Sequence, residues 1–335
     1  MKTYPLIVLF FAIAACGDDP TDITARDGAT LDVKDYVTRE LVALRAAAES
    51  LQASTPATSW THASHATAVE DMRAAWKQAR IAYEHVEGAI AVLFEDLDYS
   101  TDARYEMFLE EGADTDLFDD QIVIGMHAIE RILWADAHPQ WVTDFESTLP
   151  GYHLPSYPNS EPAAQSFKAE LAQKLVDDFD TMHSAFAPLA LDAADAYRGV
   201  LGSMAEQFEK VNLAATGEDE SRYAQHTLAD MRANLAGGRE IYAAFRDWLR
   251  GEPGGADVDA TIVARFDAIQ EYYDDLVGES LPEVPGDWNP DAPDDSTAYG
   301  RLFVFLSAES DVENPESLVA AMRQGATILG ITVLD

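Results

Sequence analysis

The sequence predicts an all-α protein made of two helical-bundle domains. Across residues 69–93, apolar side chains recur at alternating spacings of three and four residues, which is typical of the buried seam of a helix bundle. Residues 122–134 are apolar on nearly every side, as expected of a helix inside a core. No stretch alternates apolar and polar residues convincingly, as a half-exposed strand would. With 335 residues, 47% of them hydrophobic, the chain is long enough for one large or two ordinary folded domains.

The remaining helices can be placed in order along the chain. A first helix is predicted at residues 31–53. Residues 94–120 are predicted as a helix followed by a loop, and the Pro-, Tyr- and Ser-rich residues 138–162 as a long surface connection. Further helices are predicted at residues 163–186, 191–213, 221–250, 261–277, 298–306 and 314–329. A boundary near 216–220 would divide them into an amino-terminal bundle, residues 31–215, and a carboxy-terminal bundle, residues 216–335.

The amino terminus has the features of a secretory signal. Lys2 precedes a short apolar run, and the run ends in Ile-Ala-Ala-Cys at Cys16, the only cysteine in the chain. These four residues resemble the lipobox of bacterial lipoproteins, which implies cleavage of a signal peptide, residues 1–15, and lipidation of Cys16. Residues 16–30, rich in Asp, Thr and Gly, are predicted to form a flexible tether. We therefore expect a periplasmic protein anchored by lipid to a bacterial membrane, with the outer membrane preferred. An ordinary signal peptide with a chance cysteine is the alternative.

The charge of the chain restricts its partners. Sixty Asp and Glu residues against 22 Lys and Arg give a formal net charge of -38. Such a field repels nucleic acid and attracts cations, although most of these carboxylates are explained equally well as a solvated acidic surface. A single cysteine also excludes an internal disulfide and a cysteine-based metal site.

His127 and Glu130 are the first candidates for a functional site. They lie three residues apart on one face of the helix predicted at residues 122–134, with apolar residues on both sides. Burying both groups is costly unless something compensates their charge. A metal ion would do so, because imidazole and carboxylate are both good ligands, and a buried His–Glu hydrogen bond is the alternative. Gly125, predicted to lie inside this helix at a cost of about 1 kcal/mol relative to Ala, suggests a close approach of another backbone.

The helix predicted at residues 69–93 also carries charge beside its apolar seam. Arg80 and Glu87 flank the seam on the same edge, seven residues apart. We expect Glu87 to be half-buried at the bundle interface and Glu84 to point further outward.

Several motifs resemble the imelysin family, which includes the EfeO-type component of bacterial iron uptake systems. The most specific one is Gly-Met-His-Ala-Ile-Glu at 125–130, which is similar to the family's G-x-H-x-x-E motif. Trp76, Arg80, Tyr83 and Glu87 match a W-x-x-x-R-x-x-Y-E-x-x-E helix. Residues 97–104 resemble the family segment L-D-x-x-I-D-A-R, with Thr101 in place of the usual Ile, and residues 226–235 resemble a helix motif of its second domain.

The resemblance implies a fold and a site. The fold would be two helical bundles related by duplication, and the metal ligands would be Glu87, Asp102, His127 and Glu130, supported by Arg80 and Gly125. Three carboxylates and one imidazole suit iron, with zinc or manganese as alternatives. The implied function is a periplasmic metal-binding lipoprotein that hands iron to a membrane permease.

Three other functions are alternatives to this one. The family also carries a peptidase label, but the inverted zinc-protease helix needs H-x-x-E-H, and Arg131 occupies the position of the second histidine. We therefore do not expect an enzyme, and no catalytic residue is assigned. A module that binds an acidic polysaccharide would need cations to offset the charge of -38. In a purely structural bundle, the His–Glu pair would be only a hydrogen bond.

Overall fold

A computed structural model describes residues 20–111 and 114–333, with side chains for 25–89, 93–109 and 114–333. The predicted all-α class is confirmed, and no strand occurs within these ranges. The helices are α1 (Pro20–Ser54), α2 (Ala66–Glu84), α3 (Glu87–Leu93), α4 (Glu95–Asp102), α5 (Tyr105–Glu111), α6 (Gly125–Leu133), α7 (Gln140–Glu146), α8 (Glu161–Ser166), α9 (Ala172–Phe186), α10 (Ala193–Ala214), α11 (Thr227–Gly251), α12 (Gly255–Asp275), α13 (Ala298–Ser310) and α14 (Leu318–Ile328). A π-helical turn, Phe167–Leu171, joins α8 to α9. Within the part of the chain that the structure describes, no helix is both long and apolar enough to cross a membrane.

The first helix begins earlier than its sequence predicts. Helix α1 starts at Pro20, so residues 20–30, predicted as part of the tether, are helical. Their low helix propensity is overcome by contacts with the rest of the protein. Ala29 is buried in the core, and Arg26 pairs with Asp192 at 3.3 Å. Cys16 and the signal peptide lie outside the described residues.

The seam predicted across residues 69–93 is divided between two helices. A turn at residues 85–86 separates α2, which ends at Glu84, from α3, which begins at Glu87. Val69, Met72 and Trp76 are nevertheless fully buried, as the spacing predicts. After this turn, α3 packs mainly on α10.

Helix α6 is shorter than predicted and begins at Gly125. Ile122 is 40% exposed and has a left-handed backbone with φ of 57°, and Gly125 itself has φ of 82°. The prediction that Gly125 lies inside the helix is therefore wrong, whereas the predicted close approach is present. A Cβ at Gly125 would lie 2.7 Å from the carbonyl oxygens of both Ser100 and Thr101 in α4. Glycine is thus required both by the backbone angle and by the contact between α4 and α6.

The two predicted halves of the chain share an extensive interface, in which α11 packs on α1, α2 and α10. Within the first half, α10 packs on α3. The crossing of α3 and α10 is so close that a Cβ at Gly88 would lie 2.5 Å from the Gly199 carbonyl oxygen. The boundary near 216–220 stays a prediction. What the packing does establish is that side chains of α2, α3, α4, α6, α10 and α11 converge on one interior region.

Candidate metal centre

A buried polar centre lies where these helices meet the segment between α10 and α11. Its members are charged or amide side chains, nearly all of them inaccessible to solvent: Arg80, Glu84, Glu87, Asp102, His127, Glu130, Lys210, Glu220, Asp230 and Asn234. Because unpaired buried charges are costly, the partners of each group determine what the centre can do.

The imidazole of His127 is hydrogen-bonded at one nitrogen and has only a longer contact at the other. Nδ1 lies 2.8 Å from Glu130 Oε2, and the other oxygen of Glu130 accepts hydrogen bonds from the backbone N–H groups of Tyr223, at 2.9 Å, and Ala224, at 2.7 Å. Nε2 is buried, lies 3.4 Å from Asp102 Oδ1, and makes no hydrogen bond of acceptable geometry. A carboxylate behind one nitrogen and an unsatisfied second nitrogen is the arrangement that metal-bound histidines adopt.

Three side chains form a potential metal site in front of this nitrogen. One ligand atom from each of Asp102, His127 and Glu220 lies within 4.8 Å of the other two. We call this group the triad. Burial disfavours the charged form of His127, but Asp102 and Glu130 outweigh that effect and raise its pKa to about 9. Without a metal, therefore, a proton on the imidazole supplies the positive charge that these carboxylates need.

Arg80 fixes one side of the triad. Its buried guanidinium donates to Asp102 and Glu84, lies 3.1 Å from Glu220 Oε1, and has its Nε 3.6 Å from Asp230 Oδ2. Burial alone would raise the pKa of Asp102, but Arg80 and His127 together lower it. Asp102 is therefore held ionised and oriented by Arg80.

A second group of carboxylates surrounds Lys210. The ammonium group donates to Glu84 at 3.1 Å, to Glu87 at 3.0 Å and to Glu220 at 2.8 Å. We call Glu84, Glu87 and Glu220 the carboxylate cage. The outward position expected for Glu84 is wrong, since its side chain is 1% exposed. It turns inward because Arg80 and Lys210 offer it two positive partners, a reason invisible in the spacing of α2.

An acidic cavity of about 320 Å³ adjoins the polar centre. Its ionisable lining consists mostly of carboxylates: Glu87, Glu95, Asp98, Asp102, Glu206, Glu209 and Glu220, with Arg104 and Lys210. Burial, and then the neighbouring Asp102, raise the pKa of Asp98 to about 6. The carboxylates in this cavity thus lack enough positive charge nearby, and a cation entering it would be attracted toward Asp102 and Glu220.

The four predicted ligands occupy different places in this centre. Asp102 and His127 face each other in the triad, whereas Glu130 lies on the far side of the imidazole. Glu87 lies in the carboxylate cage, where it also accepts a hydrogen bond from Asn234, and Glu220 links the two groups. Arg131 points away from the centre, to Glu146 at 3.0 Å, with its guanidinium 4.0 Å from the ring centroid of Tyr105.

Sequence reasoning missed Glu220, Lys210 and Asp230. Lys210 had a detectable signal, because helical spacing places it at the edge of the face of α10 that carries the apolar Val200 and Met204. Asp230 follows His226 by one helical turn, and its Oδ1 lies 2.8 Å from His226 Nδ1, so the sequence alone pairs it with that histidine. Glu220 lies in a nonhelical segment, where no periodicity indicates which side chains turn inward.

Comparisons with known proteins agree with the fold and the motifs. The family model for imelysin matches residues 37–296. The chain is 27% identical to the iron uptake system component EfeO of Shigella boydii serotype 4 over 265 residues, which cover 76% of this chain and 61% of that protein. It is also 27% identical to EfeO of Escherichia coli K12 over 232 residues, covering 69% of this chain and 50% of that protein. The chain thus spans about half to three fifths of the length of these curated relatives.

A solved structure supports the same assignment at the level of the fold. The crystal structure of an imelysin-like protein from Psychrobacter arcticum 273-4 superimposes with a TM-score of 0.60 at 12% identity, covering 95% of this chain and 99% of that one. The matched residues 37–296 contain every member of the polar centre. On this evidence of sequence and fold, the chain belongs to the imelysin family.

Proposed function

We propose that this protein binds a metal ion, iron in its biological setting, as a component of an uptake system of the EfeO type. Two of the curated relatives described above bear that name. The proposed location is the periplasm, with the chain held to a bacterial membrane, preferably the outer one, through lipid on Cys16. The proposed partner is a membrane iron permease.

The observation that carries the proposal is the second ring nitrogen of His127. Nε2 is buried, makes no hydrogen bond of acceptable geometry and lies 3.4 Å from Asp102 Oδ1, while Glu130 holds the other side of the ring. In a purely structural bundle this nitrogen would have only that long contact, which satisfies a buried polar atom poorly. An ion bound by the triad would satisfy this atom and replace the imidazole proton.

The charge of the centre supports the same conclusion. Six carboxylates face two permanent cations: Glu84, Glu87, Asp102, Glu130, Glu220 and Asp230 against Arg80 and Lys210. Burial raises the pKa of Glu84 and of Glu87, which favours a bound proton on these two carboxyl groups in the absence of an ion. An ion of charge two or three would supply the positive charge in place of such protons. Carboxylate oxygens with one imidazole suit iron, manganese or zinc better than they suit a soft metal such as Cu(I).

Titration calorimetry on the purified chain tests this function. Zn²⁺ in air and Fe²⁺ without oxygen are each titrated into wild type and His127→Ala in about 0.15 M salt, which screens the general acidic field beyond about 8 Å. We expect wild type to bind one ion per chain and His127→Ala to bind it at least about 100-fold more weakly, because a ligand is lost. His65→Ala, which changes a histidine outside the polar centre, serves as the control. Equal affinity of wild type and His127→Ala would show that the triad is not the site.

A further inference from the structure

Lys210 occupies a position that a metal ion would be expected to fill. Its ammonium lies among three carboxylates whose ligand atoms are within 4.8 Å of one another. It contacts five of their oxygens at 2.8 to 3.2 Å, counting both oxygens of Glu84 and Glu220 and one of Glu87. Lys210 is itself only 5% exposed.

The cage has few other sources of positive charge. Arg80 contacts Glu84 and Glu220 from one side, and the neutral amide of Asn234 donates to the second oxygen of Glu87. No other cation contacts Glu87 in the described part of the chain. Since a buried carboxylate without a counter-charge is costly, the cage needs the charge that Lys210 brings.

Glu220 belongs both to this cage and to the triad. The two groups are therefore adjacent and share one ligand, as carboxylates do when they bridge a pair of metal ions. We propose that Lys210 is a tethered cation that fills the second position of a potential two-ion centre and thereby limits the protein to one metal ion. This inference rests on the proposed function, since it assumes that the triad binds the first ion.

Replacing Lys210 by methionine removes the charge while keeping a chain of similar length. We expect Zn²⁺ titration of Lys210→Met to give two ions per chain instead of one. In the triple variant Lys210→Met, Glu84→Gln, Glu87→Gln, the cage loses two of its carboxylates, and the stoichiometry should return to one. Lys174→Met, which removes a lysine that pairs with Asp178, is the matched control and should bind one ion.

The outcomes separate this inference from the proposed function. A wild type that binds no ion contradicts the proposed function itself. A wild type and a Lys210→Met variant that both bind one ion overturn the role of Lys210 alone, and so does a triple variant that still binds two.

Folding of the variant provides a second readout. If Lys210→Met loses its helical circular dichroism in metal-free buffer, recovery of the signal on adding Zn²⁺ supports the proposal, because the ion then replaces the ammonium. If the signal stays lost with Zn²⁺ while the triple variant folds, the cage does not accept a metal and the proposal is wrong.

Discussion

Glu130 lies on the Nδ1 side of the His127 imidazole, whereas Asp102 lies on the Nε2 side. The Oε2 of Glu130 lies 2.8 Å from the imidazole Nδ1. Its Oε1 accepts hydrogen bonds from the backbone N–H groups of Tyr223 and Ala224, in the segment that carries Glu220. This single carboxylate therefore orients the histidine and anchors the segment on the opposite side of the triad. The sequence placed Glu130 beside His127 correctly, but three-residue helical spacing cannot tell a ligand from the group that orients it.

Glu130→Gln tests this positioning role. The amide keeps the size of the side chain but must present a donor either to the imidazole or to the two backbone N–H groups, which are donors already. We expect Zn²⁺ affinity to fall about 10- to 100-fold, the usual range for a group that supports a metal ligand, while one ion still binds. Calorimetry measures the affinity, and the exposed Glu49→Gln is the control. A complete loss of binding with the fold intact would indicate that Glu130 is itself a ligand.

His138 makes the stability of the protein dependent on pH at a distance from the triad. Its ring stacks on Tyr223 with centroids 4.6 Å apart, and its Nε2 donates to the Arg131 carbonyl oxygen at 2.9 Å. Burial, helped by the charges of Arg131 and Arg222 and opposed by Glu146, lowers its pKa to about 4. In the unfolded chain, this histidine has a pKa of about 6.5. Between about pH 4 and pH 6.5 it is therefore protonated in the unfolded chain and neutral in the folded protein.

The sign of this effect follows from the two pKa values. Stability from the neutral His138 is fully present above about pH 6.5 and is lost as the pH falls toward about 4. Between these limits, the free energy of unfolding of wild type should fall about 2 to 3 kcal/mol more than that of His138→Gln, which cannot titrate. Urea unfolding of both proteins across this range measures the difference. If the free energy of unfolding changed with pH in the same way for both proteins, the pKa of His138 would not be lowered by folding.

At the level of the helix, sequence pattern predicted most segments but not their interruptions. The alternating spacing across residues 69–93 identified buried side chains correctly, yet α2 ends at Glu84 and α3 begins at Glu87. Periodicity reports which face is apolar, and one face can stay buried across a break. The start of α6 was missed for a similar reason, because Ile122 is apolar but lies in a left-handed turn before the helix.

The triad depends on the contact between helices α4 and α6. Asp102 is the last residue of α4, and His127 lies in the first turn of α6. The Trp76 indole N–H adds a link from α2 to α6, donating to the Met126 carbonyl oxygen at 2.9 Å. Gly125 allows α4 and α6 to approach, so its replacement should disturb the site as well as the fold.

Gly125→Ala tests this dependence. A Cβ there would meet two carbonyl oxygens at 2.7 Å in a backbone conformation that disfavours L-residues. We expect a loss of about 2 to 3 kcal/mol in the free energy of unfolding, together with weaker Zn²⁺ binding as α4 shifts. Gly202→Ala in α10, where nothing lies within 4 Å of a new Cβ, should instead be neutral or stabilising by up to about 1 kcal/mol. Equal effects of the two substitutions on urea unfolding would contradict the close-contact argument.

At the scale of the whole molecule, the polar centre draws on both sides of the predicted boundary near 216–220. The sequence located Asp102, His127 and Glu130 in the first half, and the structure adds Glu220 and Asp230 from the second. Contacts between residues so far apart in the chain are set by the packing of α10 and α11 on α1, α2 and α3, which single-sequence periodicity does not encode. The acidic cavity beside the centre concentrates part of the net charge of -38 in one place, where its field attracts cations.

The last prediction concerns how the whole molecule is held in the cell. If Cys16 is lipidated, the mature protein carries several acyl chains, because one chain alone binds a membrane only marginally. Cys16→Ala should therefore move the protein from the membrane fraction to the soluble periplasmic fraction of a bacterium that expresses the full chain. Fractionation followed by immunoblotting measures this distribution. Because Cys16 lies outside the residues matched by the family model, 37–296, Zn²⁺ binding by the released protein should equal that of wild type. Cys16→Ala protein that remained in the membrane fraction would contradict the lipid anchor, whereas altered Zn²⁺ affinity would show that the amino terminus contributes to the metal centre.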